Sequence, residues 1–397
     1  MRRNLFLLLG AVCSIGIYSC TKTTADLTPE ESDDLVLAER KAKDCGCDPS
    51  VPTNIFDIRN LVAPNSCGLD TIQKGFGFTE GPAVDKWGNV YFTDQPNDKI
   101  YRWDAKTGQV SLFLTGTGRA NGMAFDKKGD LIAAADMYGE LWKIHPNGTH
   151  EVLVNNYNGK LLNGPNDVWI NLQTGGIYIT DPMFPRGYWK DNDPRKTGNP
   201  GWPPVYSEQG PGIAGHVYYL APGSKKLVRV TSASDPNWGA ANLFPNGIVG
   251  TPDGKKLYVN NWTGDNTGKI REFDILPNGN LVFKKVLVDG LRGCDGMSMD
   301  EKGNIYVSNA EGVTAFDKNG KKVFSVACGP VGNTGATNNV FGGKDGNILF
   351  ITGTSDRITS LKMNVQGVEQ VDNRGNGTGN NGNGNGNGNG NGKGKGK

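Results

Sequence analysis

Histidine is nearly missing from this chain: His145, His150 and His216 are the only three in 397 residues. A serine hydrolase needs a histidine base beside a nucleophile elbow, and no Gly-x-Ser-x-Gly occurs. Zinc and iron, which favour imidazole or thiolate ligands, are disfavoured on the same ground. There is no excess charge of either sign: 42 Lys and Arg face 40 Asp and Glu, a net charge of +2. Nothing in that balance suggests a nucleic-acid partner. Also absent between Gly75 and Met363 is any long apolar pattern of helical period. What remains is short strands and turns, so an all-β fold is expected.

Both ends stand apart from that pattern. Residues 1–19 carry Arg2 and Arg3, an apolar run from Leu5 to Ile17 and the close Tyr18-Ser19-Cys20. That order is a secretory signal, and the apolar run is too short to span a bilayer. Ile17-Tyr18-Ser19-Cys20 resembles a bacterial lipobox, so Cys20 is the expected lipidation site. The expected product is an exported lipoprotein, periplasmic or on the cell surface, touching the membrane only through its N-terminal lipid. Residues 20–54 read as a leader and 55–370 as the folded domain. Residues 371–397 read as a disordered tail: from about Arg374 to Lys397 the sequence is Gly-Asn alternation ending in Gly-Lys repeats, with no apolar side chains to offset chain entropy. Of seven cysteines, Cys13 leaves with the signal and Cys20 takes lipid. Cys45, Cys47, Cys67, Cys294 and Cys328 then face an oxidising compartment. A disulfide from Cys45 or Cys47 to Cys67 is expected to staple the leader to the domain. Cys45-Gly46-Cys47 lacks a second ligand pair and is not zinc-like.

A single unit repeats along the folded part. Thr79-Glu80-Gly81-Pro82-Ala83-Val84 leads through a turn closed by Gly88 into Val90-Tyr91-Phe92-Thr93-Asp94. The same order of polar residue, short apolar strand, glycine turn and β-branched or aromatic strand recurs from Asn121, Asn166, Asn246, Asp295 and Asn338. The spacing matches a four-stranded propeller blade of about 40 to 50 residues, except between Asn166 and Asn246. There one blade carries an insertion, Met183 to Gly215, rich in Pro, Gly and aromatics. The sequence therefore predicts a six-bladed β-propeller of four-stranded blades. Either Ile55 to Ile58 or Leu69 to Phe76 could complete the blade that contains Asn338. No long exposed apolar face is evident, and a monomer is expected.

Residues that lead the innermost strand of each blade converge on the propeller axis. Here they are Glu80, Asn121, Asn166, Asn246, Asp295 and Asn338: two carboxylates and four carboxamides. Oxygen donors of these types suit a hard divalent cation, calcium above all, with other divalent cations as alternatives. Asn-Gly and Asp-Gly are also ordinary turn signals, but glutamate is a poor turn former, and Glu80 has no such use.

At these positions the chain resembles the senescence-marker-protein/gluconolactonase family, over about Gly75 to Met363. The likeness lies in the Glu-Gly-Pro of Glu80, Leu162-Asn163-Gly164-Pro165-Asn166-Asp167, Ile177-Tyr178-Ile179-Thr180-Asp181-Pro182, the Pro-Asn-Gly of Asn246 and the Asp-Gly-Met of Asp295. The resemblance implies a calcium-dependent lactonase. Glu80, Asn246 and Asp295 would be metal ligands, with Asn166 a fourth ligand or a substrate contact. Asp295 would also be the catalytic base. Asn121, Arg119 and Asp181 would touch the substrate, a small lactone or ester. The chain departs from many bacterial members at Ala135-Asp136-Met137-Tyr138, where they carry a Glu-His pair. The insertion, with Tyr188, Trp189, Trp202 and Tyr206, reads either as a lid over a ring substrate or as a solvated loop. Two other readings suit the same architecture: an arylesterase or phosphotriesterase using the same ion, and a non-catalytic surface propeller that binds a carbohydrate or a protein.

Overall fold

The computed structural model describes residues 55–64, 66, 68–191, 193, 195, 215–232, 237–238, 244–328, 335–354 and 356–369. The signal, Cys20, the possible partners Cys45, Cys47 and Cys67, the aromatic residues Trp202 and Tyr206, and the Gly/Asn/Lys tail lie outside them. Six antiparallel sheets follow one another along the chain. Each is a meander whose first strand lies at the axis: Thr79–Val84, Ala120–Phe125, Val168–Asn171, Phe244–Gly250, Met297–Met299 and Ala336–Gly342 lead blades 1 to 6. The only helices among the described residues are two short 3-10 turns, Gln95–Asn97 and Asp136–Tyr138. The all-β, six-bladed architecture expected from the repeat is the one observed.

Strands near the axis are buried on both faces because a blade packs between two neighbours. Thr79–Val84 and Gly176–Asp181 are buried along their whole length, whereas the outer strand Val110–Thr115 is largely exposed. The core is consequently a ring of interblade layers. Between blades 1 and 2, Ala83 and Ile100 pack on Met123, Leu131 and Trp142. Between blades 6 and 1, Val340, Phe350 and Ile358 meet Val90, Phe92 and Trp103. The turns inside the blades are closed by backbone bonds such as Gly88 N to Asp85 O and Gly303 N to Asp300 O, with both glycines at positive φ.

Ring closure uses the N-terminal part of the domain. Asp70–Lys74 pairs with Arg357–Lys362 as the outermost strand of blade 6, so a strand that precedes blade 1 in sequence completes the last blade. Ile55–Asp57 instead adds a fifth strand to blade 5, against Lys322–Val326. Side chains tie the seam at the axis: Thr337 Oγ1 donates to Thr79 O at 2.7 Å, and Gly353 N donates to Thr79 Oγ1 at 3.0 Å.

Candidate active site

In blades 2, 4 and 6 the register against the second strand slips between Ala120 and Met123, Pro245 and Ile248, and Ala336 and Asn339. Blade 1 slips between Glu80 and Ala83. These bulges re-aim one side chain per blade toward the axis. Glu80, Asn121, Asn166, Asn246 and Asp295 together line one cavity of about 370 Å³ at the end of the channel where the inner strands begin. All five are among the residues that sequence periodicity picked out.

The sixth is not. Thr337 lines this cavity, and Asn338 lines the other axial cavity instead. Backbone bonds show why: Gly122 N donates to Asn166 O at 2.6 Å, and Gly296 N donates to Thr337 O at 2.7 Å. Thr337 therefore holds the ring position in blade 6, while Asn338 corresponds to the glycine that follows the ring residue elsewhere. Asp167 has the same place in blade 3. In most blades that following residue is glycine because the next blade's backbone occupies the space of a Cβ, which at Gly247 would lie 2.2 Å from Asp295 O. Close approach, not a turn, is the reason for these Asn-Gly and Asp-Gly pairs.

Neighbouring blades fix the donors from behind. Thr180 Oγ1 donates to Asn246 O at 2.8 Å, and Asn260 Nδ2 donates to Asp295 O while its Oδ1 accepts from Gly247 N. Glu80 is 2% exposed, and one of its carboxylate oxygens accepts from Gly81 N at 2.8 Å. Burial, with a further contribution from the Asp167 charge, pushes its carboxyl up to about 8. The Asp295 carboxyl is also held well above its ordinary range, by burial first and then by the charges of Glu80 and Asp167. Two side-chain oxygens beside them, Asn121 Oδ1 and Asn246 Oδ1, are buried without a hydrogen-bond partner. Unpaired buried acceptors next to mutually repelling carboxylates fit a bound cation, which would satisfy both. Among the described residues no group of three or more His, Cys, Asp and Glu forms a metal cage. The available donor set is the mixed one of carboxylates and carboxamides, suited to calcium rather than to zinc.

Two residues expected to touch substrate lie outside the cavity wall. Arg119, at φ 49, turns its Nη1 to Pro96 O at 2.7 Å and stacks 4.4 Å over Tyr188. Asp181 is wholly buried and accepts from Asn163 N at 3.0 Å and Gly164 N at 2.9 Å, shaping the loop before Asn166. Besides Arg292 the wall holds a second cation, Arg186, from the start of the insertion, which the spacing argument had no means of finding. Its Nε donates to Asp136 Oδ2 at 2.8 Å. Phe184, also in the wall, stacks on Phe244 at 5.2 Å and meets Trp262 edge-on at 5.8 Å. The insertion thus contributes an arginine and an aromatic face. Tyr188 and Trp189 themselves pack beneath Arg119 and Arg195.

The opposite end of the channel opens into a larger space of about 500 Å³. Its walls are mixed: Ala83, Met123, Ile248 and Val340 line it together with Lys127, Asp167, Gln173 and Asn338. None of the five converging donors borders it.

The fold and the cavity together define a six-bladed β-propeller with carboxylate and carboxamide side chains gathered at one mouth of its axis. The chain belongs to the SMP-30/gluconolactonase/LRE-like family, whose model matches residues 78–355. It is 28% identical over 316 residues to a gluconolactonase of Zymomonas mobilis, covering 72% of this chain and 79% of that one. Among solved structures it is similar to a gluconolactonase from Xanthomonas campestris, with 25% identity, a TM-score of 0.62, and 79% of this chain and 95% of that one covered. The fold is shared as well with regucalcin from Agrobacterium tumefaciens, described as a calcium-binding protein, at 18% identity and a TM-score of 0.56 over 75% of this chain and 94% of that one.

Proposed function

We propose that the protein hydrolyses a lactone, or a similarly small ester, at the cavity bordered by Glu80, Asn121, Asn166, Asn246 and Asp295. The observation that carries this reading is the convergence of two carboxylates and two unpaired carboxamide oxygens in a single cavity, in a chain related to gluconolactonases. Glu80, Asn166, Asn246 and Asp295 would hold a calcium ion, or another divalent cation. When bound, such an ion supplies Lewis-acid polarisation of the ester carbonyl. Asp295 takes a proton from a water molecule as the water oxygen bonds to the carbonyl carbon, and returns it to the ring oxygen as the acyl carbon–oxygen bond breaks. The products are a carboxylic acid and a hydroxyl on one chain, and lactone ring strain keeps the demand on the base modest. Asn121 orients the substrate. Phe184 and Trp262 give its ring an apolar face. The proposal extends to the N-terminus: export and lipidation at Cys20 would put this chemistry outside the cytoplasm.

The test is turnover of a panel of sugar and aliphatic lactones by the wild type and by Asp295→Asn, with calcium and after chelation. Calcium-dependent hydrolysis that falls by at least about 100-fold in the variant supports the reading. Calcium binding with no turnover of any lactone or ester would replace it with a non-catalytic binding propeller.

A further inference from the structure

The charged groups bordering the cavity are Glu80 and Asp295 on the axis, and two arginines away from it, Arg186 and Arg292. Arg292 is exposed and turns its Nε to Gly264 O at 3.2 Å, on the rim. Arg186 differs in being fixed. Its side chain is 21% exposed, its Nε is bound to a carboxylate that is itself 1% exposed, and its guanidinium lies 5.6 Å from the Phe184 ring. Asp136 is held in turn by Gln95 Nε2 at 3.2 Å. Only Nε of Arg186 is engaged among the described residues, so Nη1 and Nη2 remain as a pair of donors on a cavity-lining side chain.

We propose that Arg186 binds the acyl oxygens of the substrate and of the carboxylate product, and that Asp136 is its positioning residue. The inference rests on the lactonase reading of this cavity and assigns it a second oxygen-binding element, built from the insertion and not from the repeat. Ester hydrolysis moves negative charge onto the carbonyl oxygen and leaves a carboxylate. A guanidinium offers paired donors in one plane, the geometry a carboxylate accepts. Its use of Nε for Asp136 fixes that plane in advance, so little reorganisation accompanies the reaction. Arg186 therefore favours substrates whose acyl group reaches the insertion side of the cavity, and it makes the hydroxy acid product an inhibitor.

The decisive experiment titrates 4-hydroxybutyrate and gluconate into wild type, Arg186→Ala, Arg186→Lys and Asp136→Asn at saturating calcium, with calcium affinity measured separately for each. The expected result is a loss of carboxylate affinity of at least about 10-fold in Arg186→Ala, unchanged calcium affinity, and incomplete recovery with lysine, which lacks the planar fork. Free guanidinium should restore part of the binding, and of any lactone turnover, in Arg186→Ala but not in wild type. Equal carboxylate binding by wild type and Arg186→Ala overturns the proposal, as does parallel loss of calcium and carboxylate. Carboxylate binding does not depend on turnover, so a wild type inactive on every lactone would defeat the lactonase reading while leaving this result to stand or fall separately.

Discussion

The carbonyl oxygen of Asn121 occupies the place where a side chain on Gly81 would be: a Cβ there would lie 1.9 Å away. Gly81 also has φ +47, where any other L-residue is strained by about 1 kcal/mol. Both effects act one residue from Glu80. Gly81→Ala is expected to cost about 3 kcal/mol or more, because the obstructing atom is backbone. It should also weaken cation binding by moving Glu80 relative to the other proposed ligands, Asn166, Asn246 and Asp295. Thermal unfolding and calcium titration of the variant check this; an unchanged melting temperature would mean that the blades separate without cost.

Arg195 anchors the insertion. Its side chain is 1% exposed, pairs with Asp193 at 2.8 Å, donates to Asp136 O and Met137 O, and stacks 4.2 Å over Trp189. Arg195→Met keeps the stem's packing and removes the guanidinium donors to the carbonyls of Asp136, Met137 and Asn163 and to the Asp193 carboxylate. The expected loss is about 2 to 4 kcal/mol. Because Asp136 also orients Arg186, KM for a lactone should rise more than kcat falls. A fall in kcat alone would show that the Asp136 turn keeps its place without the anchor.

How far the sequence reveals this site depends on periodicity. Glu80, Asn121, Asn166, Asn246 and Asp295 are legible because each leads an identical unit, and equivalent positions meet on the axis. Thr337 is hidden because blade 6 breaks the rule twice: its ring residue is neither carboxylate nor carboxamide, and Asn338 fills the following place that glycine takes in blades 1, 2, 4 and 5. The eye then settles on Asn338, one residue too late. Arg119 lies just before Asn121 and Asp181 ends the second strand of blade 3, yet backbone partners claim both. Arg186 is the converse case. It belongs to an aperiodic segment, and its direction is set by Asp136, fifty residues earlier in another blade. Closure was legible as a choice between two segments. It fell to Asp70–Lys74, leaving Ile55–Asp57 to extend blade 5.

Lipidation at Cys20 has its own test. A chain processed at Ile17-Tyr18-Ser19-Cys20 should incorporate labelled fatty acid and partition with membranes. Cys20→Ser should do neither, while any lactone turnover and calcium binding of the wild type are kept. Membrane partition retained by Cys20→Ser would point to attachment by an uncleaved apolar segment instead.

Stability should fall with rising pH when calcium is removed, and calcium should reverse much of that fall. Burial raises Glu80 to about 8, Asp167 to about 7 and Asp181 to about 7, and holds Asp295 well above its ordinary range. In each case the folded value lies above the unfolded one, so the folded state binds more protons. The resulting stability is complete below the unfolded carboxyl range and is lost as pH rises through the folded values. In chelator, the unfolding free energy should therefore drop by on the order of a few kcal/mol between about pH 5 and about pH 8.5, and the melting temperature with it. Calcium held as proposed would neutralise Glu80 and Asp295 and bind more tightly as they lose protons, so at saturation it should flatten the profile at its alkaline end. Asp181 does not line the donor cavity, so Asp181→Asn should shrink the chelated decline by the share of that one carboxyl. Scanning calorimetry across that range, with and without calcium, decides the matter. A chelated melting temperature that climbs with pH would mean these carboxylates are already compensated by charges such as Arg186 and need no cation.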